Sequence, residues 1–348
     1  MGYYQENQIN MQQKAKALLS ELPYYCKDYY REIQRKSGTT VYMYFRHIKS
    51  FLSYIEKSNP EIQEKGLRKI SLDDLEKLNL EDINEYIADE LENVKDTTVL
   101  NHLSALNSFF GYLYETDKLT RNIVAKKKRK DFNKGKKRYV VRLNDAQKKG
   151  FIDSVKYGVG LSDRQLLSHE NLELGARDFA ICITFLRTGI RVSELVGINV
   201  EDIDFKEKCF YVIRKRAKKD VVYFDNDVSR ALLDYLGDRV YPTTVGEPEP
   251  VFIVSQGKYK GERLSVRSVQ RLVKKYAKAG AFGIGTQITP HKLRATYATD
   301  MLNATGNVML VRNELAHENI STTQLYLDTD TQDRKKAAHI LENLEKEE

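Results

Sequence analysis

The sequence predicts a mainly helical chain in two domains, an all-α bundle followed by a helical domain that carries a small antiparallel sheet. Three observations carry this expectation. The 348 residues exceed an ordinary single domain, and a hydrophobic content of 41% is enough for two cores. From about residue 11 to 119 apolar side chains recur at helical spacing. Beyond a basic stretch, KCFYVIR and DVVYFD alternate like strands around RKRAKK, with helical segments on either side.

In the first domain four helical segments are expected: MQQKAKALLSELPYYCKDYYREIQ, TTVYMYFRHIKSFLSYIEK, LEDINEYIADELEN and TTVLNHLSALNSFFGYLYE. Tyr44, Ile48, Phe51, Leu52 and Ile55 share one face of the second. Leu103, Leu106, Phe109, Phe110 and Leu113 do the same in the last. Thr39 or Thr40, and Thr97 or Thr98, are the expected N-caps of these two helices. In the second domain LNDAQKKGFIDSVKY predicts a helix, and RDFAICITFLRTGIRVSELVGI predicts two, broken at Gly189. The strand pair forms a hairpin with a basic tip, and helices follow at SVRSVQRLVKKYAKAG and HKLRATYATDMLNAT. The insertion at 158–174 has no role derivable from its residues. Boundaries are set at 1–120 for the first domain, 121–140 for a linker, 141–334 for the second domain and 335–348 for a terminal helix.

The chain carries 57 Lys and Arg against 49 Asp and Glu, a net charge of +8. Its excess is uneven. RNIVAKKKRKDFNKGKKR, residues 121 to 138, includes Lys126, Lys127, Lys128, Arg129 and Lys130, with Asp131 the one acid in the run, a density suited to a polyanion backbone. Arg267, Arg271, Lys274 and Lys275 form a second basic face, on one predicted helix. Cys26, Cys182 and Cys209 lack metal-binding or CxxC spacing, and two of them sit in apolar runs, which fits buried free thiols in a reducing cytoplasm. The amino terminus has no apolar signal core and no stretch is long enough to span a membrane.

The segment NELAHENISTTQLYLD places His317 nine residues before Tyr326, with Ser321 and Gln324 forming a capping-box pattern that starts a helix between them. Position alone does not distinguish Tyr326, one of 22 tyrosines. Its potential partners do. PHKLRATYA sets His291 and Arg294 three apart, on one helical face. TGIRVSEL puts Arg191 just past a glycine turn, with Glu194 three residues on, and the hairpin tip offers Lys215 with Lys218 and Lys219 behind it. Two arginines can grip the non-bridging oxygens of a phosphodiester and stabilise charge growing at phosphorus. A tyrosine can attack as a covalent nucleophile while histidine and lysine move protons. Such a reaction calls for no metal and no other cofactor.

In this order, Arg191, Lys215, His291, Arg294, His317 and Tyr326 resemble the tyrosine recombinases. GIRVSELVGI, HKLR, LAH and ISTTQLYL look like that family's signature segments, and the resemblance covers nearly the whole chain. It implies a helical core-binding domain of SAM-like type ahead of a mixed α/β catalytic domain, forming a C-shaped clamp on DNA. It also implies a homotetramer on two DNA sites with inverted half-sites, closed by exchange of C-terminal helices, with an accessory protein as an optional partner. Arg191 and Arg294 would then bind the scissile phosphate, Tyr326 would form a 3′-phosphotyrosine link on the way to a Holliday junction, and Lys215 would protonate the leaving 5′-oxygen. His291 would serve as acid or base near the tyrosine, His317 would hydrogen-bond the phosphate, and Glu194 would support Arg191.

Aligned to the family's G-K-G-x-K hairpin, IRKRAKK favours Lys215 over Lys218 as the acid. Two departures stand out: Ala295 where the family often has His, and Ala316 where it often has Gly. In the tail, Ala337, Ile340, Leu341 and Leu344 make the apolar stripe that would dock on a neighbouring subunit. Within the family the first domain and the basic linker are similar to the XerS-type recombinases, which act alone at a chromosomal site to resolve dimer chromosomes before cell division. The alternatives are an integrase of a mobile element, a non-catalytic DNA-binding protein on the same fold, and a type IB topoisomerase.

Overall fold

The computed structural model describes residues 3–125, 141–170, 172–214, 218–238, 248–280 and 287–316. The chain divides into two compact units, Met1–Lys137 and Arg138–Glu348.

The first unit is entirely helical in its described residues: α1 (Tyr3–Leu19), α2 (Tyr25–Ile33), α3 (Gly38–Ser58), α4 (Pro60–Lys65), α5 (Leu72–Lys77), α6 (Leu80–Glu90) and α7 (Asp96–Glu115). The expected single helix over residues 11–34 is two. Pro23 cannot continue a helix and biases Leu22 away from helical backbone, so α1 ends at Leu19 and the chain turns before α2. Ser37, not Thr39 or Thr40, caps α3, its hydroxyl accepting from the Thr40 amide at 3.2 Å. α7 begins at Asp96 without any side-chain cap, so neither Thr97 nor Thr98 has that role. The core is aromatic: Tyr25, Tyr29, Phe45, Phe51, Tyr86, Phe109 and Phe110 are fully buried, and the rings meet edge-on or tilted. Two of the polar groups caught in it are paired, whereas the Tyr25 hydroxyl is buried with no hydrogen-bond partner among the described residues. Tyr29 donates to Ser108 Oγ at 2.9 Å, and Tyr86 Oη lies 2.7 Å from His102 Nδ1, with the His47 ring tilted at 47° to that of His102 and its centre 3.9 Å away. Burial, with the His47 and Arg46 charges added, pushes the His102 imidazole down to about 4.

The second unit contains α8 (Asp145–Tyr157), α9 (Asp163–His169), α10 (Leu172–Thr188), α11 (Val192–Gly197), β1 (Ile203–Asp204), β2 (Cys209–Ile213), β3 (Lys219–Tyr223), α12 (Asn226–Asp238), α13 (Val266–Gly280), α14 (Pro290–Thr305) and α15 (Val308–Glu314). The three strands form an antiparallel sheet in sequence order, with Cys209 opposite Tyr223 and Ile213 opposite Lys219. The expected hairpin is therefore present, and β1 and α12 are additions that the sequence reading lacked. Phe210 and Val212 face inward while Tyr211 and Tyr223 are exposed. The insertion at 158–174 carries α9, which folds back on α8: His169 Nε2 lies 2.7 Å from the Val155 carbonyl. All three cysteines are free and buried.

Two features hold the frame of this unit. α8 and α13 cross at Gly150 and Gly280, where a Cβ on either residue would overlap the carbonyl oxygen of the other. Asp178 of α10 is buried among partners. It accepts from Arg177 Nη2 at 2.8 Å, Tyr276 Oη at 2.8 Å and Lys275 Nζ at 3.2 Å, while Arg177 Nη1 reaches the Ile253 carbonyl at 3.1 Å. This buried network fixes α13 against α10.

Candidate active site

The site is assembled from three turns. The first lies between α10 and α11, where Gly189 adopts φ +59°, a left-handed conformation that glycine enters without Cβ cost. The turn is tight on its outer side, because a Cβ there would overlap Tyr297 Cδ1 and lie 3.0 Å from Leu315 Cδ2. It delivers Arg191 to the N-cap position of α11. Glu194, one turn later and buried, holds Arg191 twice: its Oε2 accepts from the Arg191 amide at 2.9 Å and its Oε1 from Nη1 at 2.7 Å. α11 is braced from below by Arg263, which donates to the Val196 and Ile198 carbonyls.

The second turn is the start of α14. Pro290 occupies its first position, where a missing N–H costs nothing. His291 is exposed at the helix entrance, and Arg294, three residues on, is buried beneath it. Arg294 spans to the other turns: Nη1 donates to the Gly189 carbonyl and Nη2 to that of Leu315. The His291 ring keeps a solvent-facing edge, yet partial desolvation and the cations of Lys292, Arg294 and Arg191 hold its pKa below the ordinary histidine value. Its neutral form, the proton acceptor, is thereby favoured at neutral pH.

The third turn follows α15. Ala316 sits at φ +42°, a region few non-glycine residues enter. Arg191 Nη2 donates to its carbonyl at 3.2 Å and lies 3.4 Å from that of Leu315. Three guanidinium groups reach this short segment, since Arg214 Nη2 also lies 3.4 Å from the Glu314 carbonyl. The arrangement concentrates positive charge, partly balanced by Glu194, directly ahead of residue 317. Within it, the Arg191 and Arg294 guanidiniums can bind a phosphodiester and stabilise added negative charge on its equatorial oxygens, while Arg214 is buried behind them.

Of the residues singled out in the sequence, Arg191, Glu194, His291 and Arg294 are thus brought together. Lys215, His317 and Tyr326 lie outside the described residues, as do Lys126, Lys127, Lys128, Arg129, Lys130 and the tail from 335 to 348. On α13, Arg267, Arg271 and Lys274 are exposed along one face, and Lys278 extends the same stripe. Lys275 departs from that face: it is half-buried, paired with Asp178 and placed 3.9 Å from the Tyr276 ring centre. Arg214 is the functional candidate that sequence reasoning did not select; the visible signal was an arginine at the first glycine of the family's hairpin pattern. Among the described residues there is no group of three or more side chains able to hold a metal ion, and no helix long and apolar enough to cross a membrane.

The model of the phage integrase family matches residues 163–333, a span that includes Arg191, Lys215, His291, Arg294, His317 and Tyr326. The tyrosine recombinase XerS of Streptococcus sanguinis is 28% identical over 351 residues, covering 92% of this chain and 96% of that protein. XerS of Streptococcus pyogenes serotype M28 is 28% identical over 363 residues, covering 95% and 98%. Among solved structures, the Tn1549 transposon integrase in complex with transposon right-end DNA superposes with a TM-score of 0.66 at 20% identity, covering 91% of this chain and 97% of that one. The XerH recombinase bound to a palindromic difH substrate gives 0.62 at 18%, covering 90% and 82%. These likenesses show the same fold, a mainly helical chain with a small antiparallel sheet. Residues 163–333 thus form a phage integrase family domain, and the XerS likeness over nearly the full length of both chains makes this protein a homologue of the tyrosine recombinases, a family of enzymes that break and rejoin DNA.

Proposed function

We propose that this chain is a site-specific recombinase of the Xer type, which cuts and rejoins DNA through a covalent 3′-phosphotyrosine and a Holliday junction to resolve chromosome dimers. The observation that carries the catalytic part is the convergence of Arg191 and Arg294 on the carbonyls of Leu315 and Ala316, with His291 on the same helical face as Arg294. The near full-length likeness to XerS proteins supports the Xer-type role, cytoplasmic and linked to cell division.

In this mechanism Arg191 and Arg294 bind the non-bridging oxygens of the scissile phosphate, with Glu194 fixing the Arg191 fork. Tyr326 Oη attacks phosphorus, His291 takes up the phenolic proton, and the bond to the 5′-oxygen breaks as Lys215 supplies that oxygen with a proton. His317 hydrogen-bonds the phosphate. The phosphotyrosyl ester retains the energy of the broken linkage, so a 5′-hydroxyl from a partner duplex reverses the step without ATP. Residues 1–120 act as the core-binding domain, 121–140 as a basic linker that includes Lys126 to Lys130, and 141–334 as the catalytic domain. Arg267, Arg271 and Lys274 lie along DNA, and Lys275 serves the fold through Asp178.

Four subunits assemble on two sites by exchange of the helix at 335–348. Deleting that helix should reduce pairing of two sites far more than binding of one half-site, and equal loss of both would refute the exchange. The chemistry is tested by incubating wild type and Tyr326→Phe with nicked suicide substrates. A protein-linked band from wild type alone is expected. DNA binding by the wild type without any adduct would overturn the catalytic reading.

A further inference from the structure

Arg214 ends β2 at the base of the hairpin and is almost fully buried, with 7% of its side chain exposed. A buried arginine is costly unless its charge is matched, so its surroundings identify its task. Nε lies 3.1 Å from Asp220 Oδ2 on the opposite strand and 4.0 Å from Glu194 Oε1, the same oxygen that holds Arg191. Nη2 reaches the Glu314 carbonyl at 3.4 Å. The Arg214 amide donates to the Lys218 carbonyl at 2.8 Å, so the two residues flanking 215–217 are tied to each other. Nη1 is buried with no hydrogen-bond partner among the described residues. One side chain therefore touches the hairpin base, the carboxylate behind Arg191 and the turn that precedes His317.

We propose that Arg214 is a positioning residue for leaving-group protonation: it locks the hairpin base to the Glu194 and Glu314 side of the site, and so sets where Lys215 stands. This rests on the recombinase reading above and assigns Arg214 no contact with the reacting atoms. The step it serves is bond cleavage. As Tyr326 Oη bonds to phosphorus, the bond from phosphorus to the 5′-oxygen breaks, and that oxygen leaves as a hydroxyl with a proton from Lys215.

The dependence can be isolated chemically, because a 5′-sulfur leaving group departs as a stable thiolate without an acid. Full-length wild type, Arg214→Gln, Arg214→Lys, Lys215→Ala and Arg191→Ala are compared on nicked sites with a 5′-oxygen or a 5′-bridging sulfur at the scissile position. With oxygen, Arg214→Gln should form adduct about 100-fold more slowly than wild type, the lower range of general-acid effects. Its half-site binding should be unchanged, and Arg214→Lys should recover part of the rate. With sulfur, Arg214→Gln and Lys215→Ala should both return close to the wild-type rate, whereas Arg191→Ala should not. An Arg214→Gln rate that stays low with sulfur would overturn the assignment, as would a normal rate with oxygen or loss of half-site binding. Absence of adduct from wild type on both substrates would overturn the recombinase reading itself, an outcome distinct from a wild type that reacts and a variant that is not rescued.

Discussion

Replacing Gly189 by alanine should disable the site through geometry rather than charge. At φ +59° a Cβ adds roughly 1–2 kcal/mol of left-handed backbone cost. The same Cβ would overlap Tyr297 Cδ1 and press on Leu315 Cδ2 at 3.0 Å, and overpacking of this kind costs about 1–3 kcal/mol. Together these give about 2–5 kcal/mol, or roughly 10 °C in the Tm of a domain of this size. The functional loss should be larger in proportion, because the Gly189 carbonyl accepts from Arg294 and Leu315 accepts from the same guanidinium. A shift of about 1 Å in a catalytic group costs on the order of 100-fold in rate. Gly306 provides the control: it has φ +62° at the end of α14, with nothing near its missing Cβ. Gly306→Ala should lose about 1 kcal/mol and keep the wild-type rate of adduct formation. The assay is thermal unfolding beside suicide-substrate trapping. If Gly189→Ala matches Gly306→Ala in both measurements, the coupling of this turn to Arg294 is refuted.

Two further predictions concern histidines. His291 has its pKa held down by desolvation and by Lys292, Arg294 and Arg191, so in the free chain it should titrate below the ordinary histidine value. A phosphate seated between the arginines should raise it; NMR of the histidine ring, assigned with His291→Asn, checks this on free and DNA-bound Tyr326→Phe, and no change on binding would contradict it. His102 falls from 6.5 to about 4, so the unfolded chain takes up its proton first. Its stabilising contribution is complete above pH 6.5, is lost as pH drops, and is gone near pH 4. At about 1.36 kcal/mol per pH unit the loss reaches roughly 2 kcal/mol at pH 5. Urea unfolding at pH 7.5 and pH 5 should show this difference shrinking in His102→Gln, and an unchanged difference would refute it.

Much of the site was legible in the sequence because its parts are local. The glycine break at Gly189, the helix over HKLRATYATDMLNAT and the three-residue spacing of His291 and Arg294 are encoded within a few residues and appear as expected. The alternating KCFYVIR and DVVYFD runs likewise pair as read. What escaped depends on contacts distant in sequence. Lys275 fits the basic stripe by spacing, yet Asp178 on α10 draws it off, and no helical pattern within α13 announces that partner. Arg214 looks like one more cation in IRKRAKK until Asp220, Glu194 and Glu314 close around it. Local competition explains the capping errors: Ser37, Thr39 and Thr40 are all competent caps, and the hydroxyl that faces the Thr40 amide is that of Ser37. The missed break at Pro23 was readable, since helical spacing on both sides of a proline does not carry the helix through it.

The proposed chemistry joins one tyrosine to DNA. The most direct measurement is to trap wild-type protein on a nicked site, digest the complex with protease, and map the peptide that retains the nucleotide. A single modified peptide containing Tyr326 is expected, linked to the 3′ end of the cleaved strand and lost in Tyr326→Phe. A linkage to another residue or to the 5′ end, or a Tyr326→Phe protein that still couples to DNA, would contradict it.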